Sequence, residues 1–292
     1  MKQKQKTALI AYIFILPQII GMFCFILGPM VASLVISFSR WNLVDTPQWV
    51  GFENFRIQFH DPLFWKVVLN TAYYSLVSVP LGIVISLGLA LVLNQKIKGV
   101  AWYRSVYFIP VVTPMVAVAL VWSWLYNPDF GAINTVLNYV GIKGPKWLSD
   151  TTWAMPSVII MSIWKGLGFN MVIFLAGLQD IPEQLYEAAG LDGADRWHKF
   201  KNITLPMLSP AIFFVMIMSV ISSFQVFSQI YIMTEGGPAN STNVIVLHIY
   251  NLAFKYWKMG EGCVVGWVLF SIVLLFTLIQ FGLGKRWVYY ER

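Results

Sequence analysis

From Thr7 to Ser39 the chain carries no charged side chain, a run longer than one buried helix of a soluble domain requires. A helix needs about 20 apolar residues to cross the hydrocarbon core of a bilayer. Further uncharged runs lie between Lys66 and Lys96, Arg104 and Asp129, Lys201 and Glu235, and Glu261 and Lys285. A sixth, from Met155 to Leu178, is interrupted only by Lys165. These runs predict six membrane-spanning helices, over 8–38, 67–93, 105–126, 155–178, 207–233 and 263–284, within a single domain over 1–292. Composition excludes a soluble alternative. With 58% hydrophobic and 11% charged residues, against about 25% charged in soluble domains, no soluble core could hide this much apolar surface. The class is all-α integral membrane protein.

The basic start MKQKQK followed by apolar sequence has the outline of a signal peptide, with small residues at Ala32 and Ser33 for cleavage. The apolar run is too long for such a peptide, and the segment is read as an uncleaved first span. With six spans both termini share one side. The N-terminus, the second and fourth loops and the C-terminus carry three Lys/Arg each, twelve in all. The opposite loops carry seven, together with seven acids (Asp45, Glu53, Asp61, Asp129, Asp150, Glu235 and Glu261). The positive-inside rule makes the twelve-residue side cytoplasmic. The net charge of +7 therefore reports orientation, not a nucleic-acid partner.

Within the spans, Ser78, Gly82, Ser86 and Ala90 recur every fourth residue, a spacing that lets helix backbones approach closely in lipid. Pro80, Pro110 and Pro114 each remove a backbone donor and favour bends. Ser219, Ser222, Gln225 and Gln229 fall on one face at helical periodicity. That face lines a path for a polar, uncharged solute or serves hydrogen bonding between helices. Lys165, the one ionisable residue inside a span, lies about 22 Å of helix before Asp180. It contacts substrate or gates the path, pairs with an outer acid, or snorkels outward. Trp122 and Trp124 are weaker candidates for the path. Cys24 and Cys263 are read as small buried apolar residues, not a disulfide or metal pair.

Several chemistries lack their residues. No Asp, Glu or His sits centrally in a span to relay protons, and no GxxxxGK[ST] offers a nucleotide site. No HExxH, GxSxG or CxxC pair supports a membrane enzyme, and no cofactor or metal is expected on this chain. Active transport would need energy from another subunit.

The cytoplasmic loop over 180–206 is the most informative stretch. Asp180, Pro182 and Glu183 read as a helix start and Gly190 as its stop; Asp192 can cap a second short helix running to Lys201. Helices this short need a surface to dock on, either the lipid interface or a groove on a partner. The pattern Glu187-Ala188-Ala189, Asp192-Gly193-Ala194, Phe200, Ile203, Leu205-Pro206 and Pro210 resembles the EAA loop of binding-protein-dependent ABC importer permeases. ILPQ near residue 16, FSRWN at 38–42, VGFENF at 50–55, LNTAYYSLVSVP at 69–80, SIWKGLGFNMVIFLAGLQDIPEQLYEAAG at 162–190 and TEGGPANST at 234–242 resemble the carbohydrate branch, the maltose-, lactose- and glycerol-phosphate-type permeases.

The resemblance implies a type I importer permease in a prokaryotic inner membrane. It implies that Glu187, Ala188, Ala189, Gly190, Asp192, Gly193 and Ala194 form a coupling helix seated on a cytoplasmic ATPase subunit. A second homologous permease would complete the pore as a heterodimer. Two ATPases would hold ATP and Mg, and an extracytoplasmic solute-binding protein would deliver a carbohydrate. The outer stretch NVIVLHIYNLAF after TEGGPANST is expected as a partly buried helix near the solute path or the binding-protein surface, or as a plain interfacial helix. Ser222, Gln225, Gln229, Lys165 and Trp122 are the candidates for the path. A neutral sugar is expected first, because the spans lack a cluster of cations. A glycerol-phosphate-type solute is the alternative, and a stand-alone channel or secondary carrier is the rival class.

Overall fold

A computed structural model describes residues 2–95 and 98–289, with side chains from residue 11 onward. Of the twelve inner cations, Lys96 and Arg292 lie outside the described residues, and the side chains of Lys2, Lys4 and Lys6 are not described. The fold is helical, with one two-stranded ribbon among the described residues pairing Ser39–Arg40 against Gln48–Trp49. Four helices are long and apolar enough to cross a membrane, and six if each of two bent pairs is one span. By residue contacts the chain forms two compact units, Met1–Pro62 with His248–Val268, and Leu63–Leu247 with Leu269–Arg292.

In the first unit, α1 (Lys2–Met22) passes through a π turn, Phe23–Leu27, into α2 (Gly28–Ser37). Nothing in the most apolar window of Ala11–Ser37 is buried, as for a helix hydrophobic all round with its surface in lipid. Cys24 is accordingly exposed, which corrects its reading as a buried residue; Cys263 is half-buried and both thiols are free. The short helix α3 (Glu53–His60) follows the ribbon, and Asn54 donates to the carbonyls of Ser37 (2.8 Å) and Ser39 (2.9 Å).

The second unit is built on α4 (Pro62–Leu93) and α8 (Ala154–Gln179). The span expected over 105–126 is divided into α5 (Val100–Val112) and α6 (Met115–Leu125), which meet at 100°. The residue before a proline is disfavoured in the helical region, and Thr113, preceding Pro114, is extended (φ −72°, ψ 134°). Pro80 and Pro110, by contrast, lie inside continuous helices. After α7 (Ala132–Tyr139) and α8, the loop holds α9 (Glu183–Leu191) and α10 (Arg196–Lys199). A π turn at Phe200–Thr204 leads to α11 (Leu205–Met207). The chain then bends by 62° into α12 (Ser209–Phe224). The helix expected over 207–233 stops at Phe224, and α13 (Ser228–Met233) is a separate turn. The helix expected over NVIVLHIYNLAF is present as α14 (Ile245–Tyr250), continued by a π turn to Lys255; it and α15 (Met259–Trp287) each contribute residues to both units.

Small residues set the closest approaches. Ser86 and Ala90 of the four-residue series are buried, whereas Ser78 and Gly82 face open space. A methyl group on Gly168 would strike the backbone of Tyr107 and Phe108, so α5 crosses α8 with nothing between them. An apolar cluster of Ala90, Leu93, Met171, Phe174, Leu175, Leu178, Ile181, Leu208 and Val215 joins the C-terminal ends of α4 and α8 to α12.

Candidate functional site

Two places in the second unit bring the candidate residues together. The first is a cleft of about 440 Å³ between α4, the start of α6, α8, α12 and α13, within the roughly 300–1,000 Å³ usual for small-molecule sites. Gln229 is its best-fixed polar group. It is 8% exposed and donates through Nε2 to the Tyr74 hydroxyl (3.3 Å) and Ser162 Oγ (3.4 Å). Ser162 in turn donates to the Val158 carbonyl (2.8 Å), so the amide is oriented by a chain of hydroxyls rooted in α8. Asn170, Ser219 and Ser222 add further amide and hydroxyl groups, while Val79, Met115, Phe169 and Met218 supply apolar wall. Among the described lining residues Lys165 carries the one charge.

The five residues expected on the path separate here. Ser222, Gln229 and Lys165 line the cleft. Gln225 does not: α12 ends at Phe224, so the stripe drawn through Ser219, Ser222, Gln225 and Gln229 on one continuous helix is broken. Gln225 is the exposed C-cap of α12, its N–H bonded to the Ser222 carbonyl (3.2 Å). Gln229 returns to the cleft only because α13 turns back. Trp122 packs its ring on Tyr126 (5.3 Å) and Trp164 (5.4 Å) and is not among the lining residues; Trp124 is exposed. Tyr74 and Ser162 were missed in the sequence. Tyr74 stands four residues before Ser78 on α4, and extending the series Ser78, Gly82, Ser86, Ala90 by one step would have found it.

Among the described residues, Lys165 forms no ion pair with an acid. Its Nζ donates to the carbonyls of Pro110 and Thr113, each at 2.9 Å, with the Val111 carbonyl at 3.5 Å. A lysine near a helix centre costs about 3 kcal/mol in lipid. Two hydrogen bonds from a charged donor, each worth about 1.5–3 kcal/mol, offset that cost. Of the alternatives drawn for Lys165, the pair with an outer acid is not formed among the described residues; its partners are backbone carbonyls.

The second place is the loop over 180–206. Its base is fixed: Tyr186 and Ile203 pack against the apolar cluster, and the Tyr186 hydroxyl meets Thr204 Oγ1 at 2.9 Å. Its tip is free of the rest of this chain. Glu187, Ala188, Gly190, Asp192 and Gly193 are exposed, Ala189 and Ala194 are half-buried, and Leu191 is 91% and Trp197 66% exposed. The capping differs in register from the expectation. Pro182 stands at the N-cap of α9, which runs one residue past Gly190, and Asp192 ends it. Asp195, not Asp192, caps the second helix, accepting from the His198 N–H at 2.8 Å. Gly193 takes φ +77°, a left-handed conformation that glycine adopts freely, so the chain reverses between the two helices before a cap can form. That amide, together with the His198 ring nitrogen, holds the exposed Asp195 carboxyl below its usual value.

TEGGPANST (234–242) is tied to α4. Lys66 Nζ donates to the Ala239 carbonyl (2.7 Å), and Asn70 to those of Asn240 and Asn243 (2.9 Å each). No group of three or more His, Cys, Asp or Glu among the described residues is placed to hold a metal ion.

Comparison with known proteins agrees with this architecture. Residues 78–287 match the family model described as binding-protein-dependent transport system inner membrane component. The chain is 41% identical to the probable ABC transporter permease protein YesP of Bacillus subtilis (strain 168), over 98% of this chain and 94% of that one. It is 34% identical to the trehalose/maltose transport system permease protein MalF of Thermococcus litoralis, over 97% and 96%. It is 36% identical to the lactose transport system permease protein LacF of Rhizobium radiobacter, over 92% of each. A solved chain of a bacterial ABC transporter that imports the acidic polysaccharide alginate superposes with TM-score 0.87 at 26% identity, covering 97% of this chain and 98% of that one. The chain thus belongs to the binding-protein-dependent transport system inner membrane components, as a multi-pass membrane permease of the ABC importer class.

Proposed function

We propose that the chain passes a carbohydrate through the cell membrane as one permease subunit of an ATP-driven importer. The observation that carries this is the cleft: the oriented Gln229 amide and Ser162 hydroxyl, with Asn170 and Ser222 also lining it, beside apolar wall and with no acid among its described lining residues. A sugar presents hydroxyls and C–H faces in the same mixture, and a site with polar groups pre-set at fixed places discriminates on them. The names of the maltose and lactose relatives support the same class. A glycerol-phosphate-type solute fits less well, because the one cation of the cleft already spends its donors on carbonyls.

The remaining machinery follows from the exposed loop. Glu187, Ala188, Ala189, Gly190, Asp192, Gly193 and Ala194 form the contact with a cytoplasmic ATPase subunit. Two such subunits bind ATP and Mg, and a second, homologous permease completes the pore. A solute-binding protein delivers the sugar from outside, a step supported by a neighbouring alginate transporter solved with a pentasaccharide-bound periplasmic protein. The chain works as one permease domain with both termini cytoplasmic. Closure of the ATPases on ATP moves the loop; because its base is packed into the core through Tyr186 and Ile203, that motion reaches α8 and α12 and turns the cleft outward. Hydrolysis resets it.

The test is uptake into proteoliposomes holding the transporter purified from its native membrane, with ATP inside and binding protein outside. Accumulation of a sugar that requires both ATP and binding protein is the expected result. Equal uptake without nucleotide would make the chain a carrier instead.

A further inference from the structure

The carbonyls at the break between α5 and α6 form a set that the helix itself cannot satisfy. Pro110 would ordinarily receive the N–H of residue 114, but Pro114 has none. Ile109 is served by the Thr113 hydroxyl at 3.0 Å. The carbonyls of Pro110 and Thr113 are served by one atom, Lys165 Nζ, at 2.9 Å each, and the Val111 carbonyl lies 3.5 Å from it. An ammonium has three donors and no acceptor, so this group has little left for a solute.

We propose that Lys165 is a positioning residue: its ammonium stands in for the amide hydrogen that Pro114 lacks, caps α5, and pins the broken wall of the cleft to α8. A cation is favoured at the C-terminal end of a helix, where carbonyls gather partial negative charge. Gly168, one turn further along α8, admits the backbone of Tyr107 and Phe108, so the pin and the close crossing lie on the same face. Met115, the first residue of α6, lines the cleft immediately beyond the break. Lys165 thereby acts on transport through the shape of that wall.

The proposal rests on the cleft being the solute path only for its transport readout; its exchange readout is independent of that reading. The transporter with its partner subunits would be purified with wild-type chain, Lys165→Met and Lys165→Arg. Amide exchange over residues 108–112, the last turn of α5, and sugar uptake would then be measured. Lys165→Met should raise exchange there roughly tenfold or more, and lower the maximal uptake rate about tenfold with KM within about twofold of wild type. Lys165→Arg, which keeps a charged donor, should recover most of the rate. A tenfold rise in KM with unchanged exchange would overturn the proposal and make Lys165 a solute ligand; no change in either readout would overturn it outright. If Lys165→Met leaves no assembled complex, Lys165→Met with Pro114→Ala decides: residue 114 then donates to Pro110 again, so recovery of assembly supports the proposal and continued loss overturns it. Wild-type transporter that takes up no sugar, with exchange still raised in Lys165→Met, would sink the proposed function and leave the positioning role standing.

Discussion

Gly168 and Gly190 are the same residue put to opposite uses. At Gly168 in α8 an added methyl meets backbone, the carbonyl of Tyr107 and the Cα of Phe108. At Gly190 in the 180–206 loop it meets only the flexible end of Lys199, whose Nζ is 3.1 Å from where the Cβ would lie. The contrast extends to their surroundings. Around the cleft, Gln229, Ser162 and Lys165 are hydrogen-bonded inside the chain and α5 crosses α8 without slack; at the loop tip, Leu191 is almost bare and Trp197 is exposed. A large apolar side chain held on a rigid base without cover marks a surface waiting for a partner, whereas the cleft is complete within its own unit.

Substitutions can break that contrast. The largest effect is expected at the loop: Leu191→Asp should weaken ATPase association by about 2 kcal/mol or more, roughly thirtyfold. It should leave the thermal midpoint of the purified chain unchanged, because Leu191 is open to solvent. Retention of the ATPase at wild-type strength would remove Leu191 from the interface. Next comes the pair of glycines. Gly168→Ala should cost about 1–3 kcal/mol by overpacking, read as a lowered thermal midpoint, while Gly190→Ala should stay within about 0.5 kcal/mol. Equal shifts at both would mean that α5 does not press on α8. Gln229→Leu should raise KM for sugar about tenfold, the worth of roughly one hydrogen bond, with ATPase association intact. A loss of ATPase instead would merge the two regions into one.

The smallest effect is a pH dependence at Asp195. Its carboxyl is held low chiefly by the His198 N–H, so the cap is present at neutral pH and is lost as pH falls through the native value, below the ordinary carboxylate range. The His198 amide resonance should move with that titration, and Asp195→Asn, which keeps an acceptor but cannot titrate, should flatten it. An unchanged titration in the Asn variant would place the sensing group elsewhere.

These two regions were unequally legible in the sequence. The loop is local: Glu187 to Pro210 lie within a few turns of chain, and their spacing carries the pattern by itself. Even there the register of the cap slipped from Asp192 to Asp195, because the left-handed Gly193 moves the second helix start later. The cleft is assembled from five helices, and one-dimensional periodicity described it only while the chain stayed helical. It failed at Gln225, where α12 ends, and it could not see Tyr74 or Ser162 across from Gln229. Pro114 announced a bend, but the residue that satisfies the bend, Lys165, lies far along the chain and was visible only in three dimensions. The apolar runs gave spans without their breaks, since hydropathy does not distinguish a straight helix from one turned through 100°.

The most direct test of the account is to purify the wild-type chain and a Glu187→Lys, Gly190→Arg double variant from native membrane in mild detergent and to identify what accompanies each by mass spectrometry. The wild type should bring an ATPase subunit and a second permease; the double variant should keep the permease and lose the ATPase, since the space at Gly190 is bounded by a movable side chain and the fold tolerates the change. Wild type purifying alone, or a variant that retains its ATPase in full, would contradict the coupling role of the loop and the import mechanism built on it.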